Sequence, residues 1–308
     1  MRERKWKHPI VSIVKDENEQ QSIVSALDLL PIKDIIREGD KVAITPNWVN
    51  AKPPSTGTVV GPESLRELIQ YVKRFHPAKI IIATGSGGED TGSIFHKVGY
   101  DNIIEDEAVE FVDLNYGPYV EIELDHDIIN KTKINSLLEE LDVLISFAQL
   151  KQHEEATVTA VIKNVAMGWP PAEIHGFPKK ETGIHDDLHG FIAAMAKKIP
   201  IDISVLSVDK AMIGTGPSGG VAVDTKGLVI ASTDPIAADT IGARLMGFLP
   251  QAVHYLYVLY KDCVGEADVK KMDLRGISLE ETERIFSTAA YGQEIILDKE
   301  KIKGVHAQ

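Results

Sequence analysis

The stretch Lys79–Gly88, KIIIATGSGG, sets the fold: a continuous apolar run stops at a loop of small residues. Runs of this kind suit strands covered on both faces, as in a parallel sheet. Asp142–Phe147 (DVLISF) repeats the pattern, as do Ile203–Val208 (ISVLSV) and Leu228–Ser232 (LVIAS). Ile10–Val14 and Lys41–Thr45 read as two further strands, the second ended by Pro46. Between them lie segments with helical spacing. Gln21–Leu30 is one. Another starts at Gly61-Pro62-Glu63-Ser64 and puts Leu65, Leu68, Ile69 and Val72 on one face. Asp187–Lys197, Pro235–Met246 and Ser278–Ser287 complete the set. Alternation of this kind predicts an α/β fold with a mostly parallel sheet flanked by helices. The whole of 1–308 reads as a single domain. A lobe boundary is expected near 110–140, where VEIELDHD suggests an antiparallel insertion, and with it two lobes about a central cleft.

In open α/β sheets, ligands gather at the carboxyl ends of the strands. The polar residues of this chain fall after its strand candidates. Asn47, Ser86 with Gly87, Lys151 to His153, Asp209, and Ser232 to Asp234 each follow one of five runs, which predicts one shared cleft. Four of the ten histidines fall between His153 and His189, beside Lys163-Asn164 and ahead of the glycine-rich GTGPSGG at Gly214–Gly220.

The totals narrow the function. A net charge of −13 argues against a nucleic-acid binder, which needs a basic surface for phosphates. No apolar run approaches the ~20 residues of a membrane span. The basic start MRERKWKHP lacks the apolar stretch of a signal peptide. Cytoplasmic location is the expectation. With Cys263 as the sole cysteine, the chain cannot by itself ligate an iron–sulfur cluster through cysteines.

Each unusual residue has a functional and a plain reading. Gly214, Gly216 and Gly219 could present backbone amides to an anion, or only shape a turn. Ser86 and Gly87 invite the same two readings. His185 and His189 are four apart at a helix start, so both rings could meet one divalent metal, with His153 and His175 as further ligands. Both could instead face solvent. Lys163 sits in the apolar stretch Val158–Met167; if buried, its amine loses protons readily and suits base or covalent chemistry. A head group reaching water is the alternative. Asp234 before Pro235 fits an N-cap as well as a ligand contact, and Asp239 lies one turn further on.

The order KxH, then KN, then H, then GxGPxGG, then ASxDPxAxD resembles the family called domain of unknown function 362, from Thr45 onward. Many members of that family add a ferredoxin-like segment with two iron–sulfur clusters, which a chain with Cys263 alone lacks. DVLISFAQLKQHEEATVTAVIKNVAMG is similar to a stretch of nickel-pincer lactate racemases. The resemblance implies roles for His153 and, ten residues on, for Lys163 as a cofactor-anchoring amine. This chain departs from that pattern at Gly87, in place of a metal-binding His. It departs again at Lys179, in place of a catalytic His for which His175 or His185 could stand in.

The resulting expectation is a cytoplasmic enzyme that binds a small anionic substrate or phosphorylated cofactor, with no nucleic-acid or membrane partner, and that could form a homo-oligomer. Lys163 and His153 are the catalytic candidates. Lys151, Asn164, Asn47, Ser86, Gly87, Asp209, Gly214, Gly216, Gly219 and Asp234 are the ligand contacts. A divalent metal on His153, His175, His185 and His189 would assist proton or hydride transfer next to a carbonyl. The alternative is a module that keeps the fold and binds without turnover.

Overall fold

The computed structural model describes residues 2–297. Its twelve strands are β1 (Ile10–Lys15), β2 (Lys41–Pro46), β3 (Lys79–Thr84), β4 (Glu110–Asp113), β5 (Tyr119–Glu123), β6 (Lys131–Asn135), β7 (Val143–His153), β8 (Thr157–Thr159), β9 (Ile203–Ile213), β10 (Val221–Asp224), β11 (Leu228–Ser232) and β12 (Asp273–Gly276). Ten of them form one sheet in the order β12-β1-β11-β9-β7-β2-β3-β4, with β10 on β9 and β8 on β7. β5 and β6 pair separately and antiparallel, within the interval where the sequence suggests an insertion.

β7 shows why the apolar runs are unbroken. Its Val143, Ile145 and Phe147 pack with Ile23, Leu27, Leu65 and Leu68 of the helices Glu19–Asp28 and Pro62–Lys73. Its Leu144, Ala148 and Leu150 pack on the other side with Val161, Ile192, Ile236 and Ile241. Successive side chains of a strand point to opposite faces. A strand sandwiched between two helical layers therefore needs apolar residues at every position. Ile122 and Ile134 of the small sheet join the second of these layers.

The pairing directions correct part of the sequence reading. β2, β3, β4, β7 and β9 run parallel to their neighbours in that group. β11 is antiparallel to both β1 and β9. Its end, Ser232 to Asp234, therefore lies at the opposite edge of the sheet from the ends of β2, β3 and β7. Asp234 caps the Pro235–Leu245 helix there, accepting from the Ile236 and Ala237 amides, and meets Arg4 at 3.3 Å. It is removed from the expected cleft. β9 also continues past Val208 to Ile213, so Asp209 sits within a strand rather than after it. Its carboxylate accepts from the Gly227 amide at 2.6 Å, fixing the turn between β10 and β11.

Two buried contacts brace the far side. The Val161–Gly168 helix has no capping side chain of its own at Ala160. Asp239 supplies one from the neighbouring helix: its carboxylate accepts from the Val161 and Ile162 amides at 2.8 and 3.3 Å and from Tyr255 Oη at 3.0 Å. The first amides of a helix have no internal partner, so an acceptor here stabilises the helix start. His175 is the second brace. Its Nε2 meets Thr132 Oγ1 of β6 at 2.7 Å and its Nδ1 meets Thr182 Oγ1. Both ring nitrogens are engaged by hydroxyls, so His175 ties β6 to the Ala172–His175 turn and offers no nitrogen to a metal.

Replacing Asp239 by Ala strands two amides and a phenol in the core. The expected cost is about 2–4 kcal/mol, read from chemical denaturation; a loss within error of zero would contradict the capping role. Burial lowers the His175 pKa from 6.5 to about 4. The unfolded chain takes up this proton near pH 6.5 while the folded chain resists it, so stability present above that pH is lost as the pH falls toward 4. The acid limb of stability is expected to flatten in His175→Asn, although that variant starts lower at neutral pH. An unchanged limb would show that His175 does not carry it.

Candidate functional site

β7 outruns its neighbour β2 by several residues, and its last turns carry Lys151, Gln152 and His153. Lys151 is fully buried. Its Nζ donates to Asn47 Oδ1 at 2.9 Å and to Thr58 O at 2.8 Å. Burial, with the charge of Lys163 nearby, holds its pKa well below the usual lysine range. A neutral amine has two N–H donors, and two acceptors meet it here. Lys151 and Asn47 are thus brought together as a buried pair.

His153 closes the strand. Its Nδ1 accepts from the Glu155 and Ala156 amides, both at 3.1 Å. That arrangement puts the proton of the neutral ring on Nε2. Desolvation, with the charge of Lys163 next, drives its pKa far below the normal range. His153 is therefore a neutral ring that donates through Nε2.

Lys163 sits in the first turn of the Val161–Gly168 helix, and its side chain is half-buried. Desolvation lowers its pKa to about 8, partly offset by Glu155. Asn164 beside it is tied down, its Nδ2 donating to Thr45 O at 2.8 Å and to Ser146 Oγ at 3.1 Å. Among the described residues the Lys163 amine has no hydrogen-bond or ion-pair partner, unlike Lys151 and Lys179. Lys179 is also buried and donates to Gly85 O at 2.9 Å and Met167 O at 2.8 Å.

Glu155 is the residue the sequence reading missed. Its Oε2 lies 2.5 Å from His185 Nδ1 and its Oε1 lies 3.4 Å from Lys180 Nζ. The signal was present in the run QHEE, where it follows His153 by two. His189 completes the group. Its Nδ1 accepts from the Tyr255 amide at 3.3 Å, it contacts the Glu155 backbone, and its ring stacks on Tyr255.

Thus His153, His185, His189, Glu155 and Lys163 share one neighbourhood, while His175 stands apart on the hydroxyls of Thr132 and Thr182. The expected metal site is not formed. Among the described residues no three His, Cys, Asp or Glu side chains are grouped to hold an ion. The reason is local. A metal on His153 Nε2 needs the proton on Nδ1, which already faces two donors. The helix begins at Leu188 with Asp187 as its cap, so His185 lies in the preceding turn and not one helical turn below His189.

The two glycine loops are closed by the protein itself. GTGPSGG joins β9 to antiparallel β10. The Gly214 amide donates to Gln152 Oε1 at 2.6 Å, the Gly216 amide to Gly214 O and the Gly219 amide to Thr215 O, each at 2.9 Å. A Cβ at Gly216 would lie 1.8 Å from Gln152 O, so this glycine is needed where the loop presses on β7. The anion cradle expected from Gly214, Gly216 and Gly219 is corrected to a backbone seal beside His153. Ser86 likewise turns inward: its Oγ donates to Val49 O at 2.9 Å and accepts from the Gly88 amide at 3.2 Å. Gly87 leaves room for Lys179, whose Cδ would be 3.3 Å from a Cβ at that position.

A cavity of about 780 Å³ lies elsewhere, at the amino ends of the parallel strands, lined by Arg2, Arg4, Lys198, Ile236 and Val264. The catalytic candidates do not line it. Chemically, the β7 end combines an unpartnered amine, a neutral Nε2–H donor and a histidine–carboxylate pair. That set can remove a proton, donate a hydrogen bond to an oxygen and exchange protons with water.

Comparison with known proteins finds relatives of the chain. The thylakoid-associated protein sll1697 of Synechocystis sp. is 24% identical over 250 residues, covering 79% of this chain and 76% of that protein. The lactate racemase apoprotein from Thermoanaerobacterium thermosaccharolyticum superposes with a TM-score of 0.46 at 18% identity, covering 76% of this chain and 56% of that one. The chain thus spans little more than half the length of that structure. Residues 42–244, from β2 into the Pro235–Leu245 helix, match the family model described as domain of unknown function (DUF362), and the chain belongs to that family.

Proposed function

We propose that this chain is an enzyme that moves a proton on the carbon next to the carbonyl of a small anionic molecule. Lys163 is the base and His153 Nε2–H is the donor to the carbonyl oxygen. The observation that carries this reading is the contrast among the buried lysines. Lys151 and Lys179 are each met by two acceptors, whereas Lys163 has none and stays half-buried beside His153 and the Glu155–His185 pair. Lys163 Nζ is not among the buried polar atoms left without a partner, so it stays open to solvent and to a ligand, whereas Lys151 and Lys179 are committed to the protein. The neutral imidazole suits the role of hydrogen-bond donor, since it polarises a carbonyl without first losing a proton.

An anionic substrate fits the local charge. The molecule carries a net charge of −13, yet Lys180 stands at this site beside Glu155. Substrate attraction is therefore local and short-ranged. No helix among the described residues is long and apolar enough to cross a membrane.

The test is hydrogen–deuterium exchange beside the carbonyl of pyruvate and other small 2-oxo acids, followed by NMR in D2O. Exchange above the uncatalysed rate is expected. Because the base is the unprotonated amine, the rate is expected to rise as the pH passes through about 8. Lys163→Ala should lose the activity by roughly 10²-fold or more with an unchanged melting temperature. Activity that survives Lys163→Ala, or no exchange across the panel, would contradict the reading.

A further inference from the structure

The backbone on either side of the lysine left without acceptors is anchored by buried hydrogen bonds. Asp239 fixes the two amides that precede Lys163, and Asn164 after it is bound to Thr45 and Ser146. Val165, two residues on, is buried in the core. The amine lies within electrostatic reach of His153 and Glu155. Preorganised amines in water-poor surroundings suit nucleophilic as well as base chemistry.

We propose that Lys163 condenses with the carbonyl of a small 2-oxo acid to form an imine. The proposal rests on the reading of this site as an anion-binding, proton-moving centre, and it names the substrate class. The lone pair of Lys163 Nζ adds to the carbonyl carbon, and the C=O electron pair moves to oxygen, giving a carbinolamine after proton transfer. The carbinolamine oxygen then leaves as water, the nitrogen supplies the electrons of the new C=N bond, and its remaining proton passes to a base. Amine plus carbonyl gives imine plus water, with no oxidant or reductant consumed. His185, with Nδ1 2.5 Å from Glu155 Oε2, is placed to give and recover the proton. His153 carries its proton on Nε2, since its Nδ1 accepts from the Glu155 and Ala156 amides, and that N–H is assigned as the donor to the departing oxygen. Lys180, beside Glu155, supplies positive charge for the substrate carboxylate. Withdrawal of electrons by the imine also acidifies the neighbouring C–H; with Lys163 engaged in the bond, the His185–Glu155 pair takes that proton in place of the free amine.

The experiment is reductive trapping. The whole protein is incubated with pyruvate, and separately with glyoxylate, in the presence of cyanoborohydride, then examined by intact mass and peptide mapping. One reduced adduct at Lys163 is expected, absent from Lys163→Arg, which keeps a positive charge and should keep the melting temperature. No adduct, or adducts spread evenly over exposed lysines, would overturn the proposal. The exchange assay separates the two levels. Wild-type exchange without an adduct leaves Lys163 as a base that forms no bond, so the imine falls and the proton-transfer reading stands. Absence of both adduct and exchange removes both.

Discussion

Lys151 Nζ is enclosed at the end of β7 with only Asn47 Oδ1 and Thr58 O as partners. An ammonium in that position would keep a third N–H and a full charge out of water, a cost of several kcal/mol. A neutral amine meets both acceptors without remainder. This constraint joins β7 to the segment after β2 and to the Thr58 loop. The charge of Lys163 raises the cost of protonating both Lys151 and His153. The neutral state of His153 follows, and with it a proton on Nε2 rather than Nδ1.

The position of Lys163 depends on parts of the chain far away in sequence. Asp239 reaches from one helix to start another, Tyr255 holds Asp239, and the ring of His189 stacks on Tyr255. The cap, the aromatic contact and the histidine cluster therefore form one connected set. A substitution at Tyr255 or Asp239 acts on the amine through the helix that carries it.

Much of the fold was legible because a doubly covered strand has a simple signature. KIIIAT, DVLISF and ISVLSV all became strands of the main sheet. Direction was not legible for LVIAS, since an apolar run looks the same in either direction. That single reversal sent Asp234 to the far edge. Length also misled: β9 runs through Asp209, because the polar residues of its outer part pair with β10 rather than ending the strand. Within the site, Lys163, His153, Lys151 and Asn164 were readable from an apolar stretch interrupted by polar residues. The histidine spacing was less informative. His185 and His189 are four apart, but Asp187 starts the helix between them. The glycines of GTGPSGG mark close backbone approach, which a sequence cannot distinguish from ligand approach. Glu155 was hidden by its place on a turn, where a carboxylate is ordinarily solvated.

The proposed chemistry requires the Lys163 amine to be partly unprotonated near neutral pH. The direct measurement is an NMR titration of ¹³C-lysine-labelled protein, with the Lys163 resonance assigned by its loss in Lys163→Arg. An amine titrating near 8 is the expected result. Titration at the ordinary lysine value of 10.5 would show an unperturbed, solvated ammonium, and the proposed chemistry at the end of β7 would have no base.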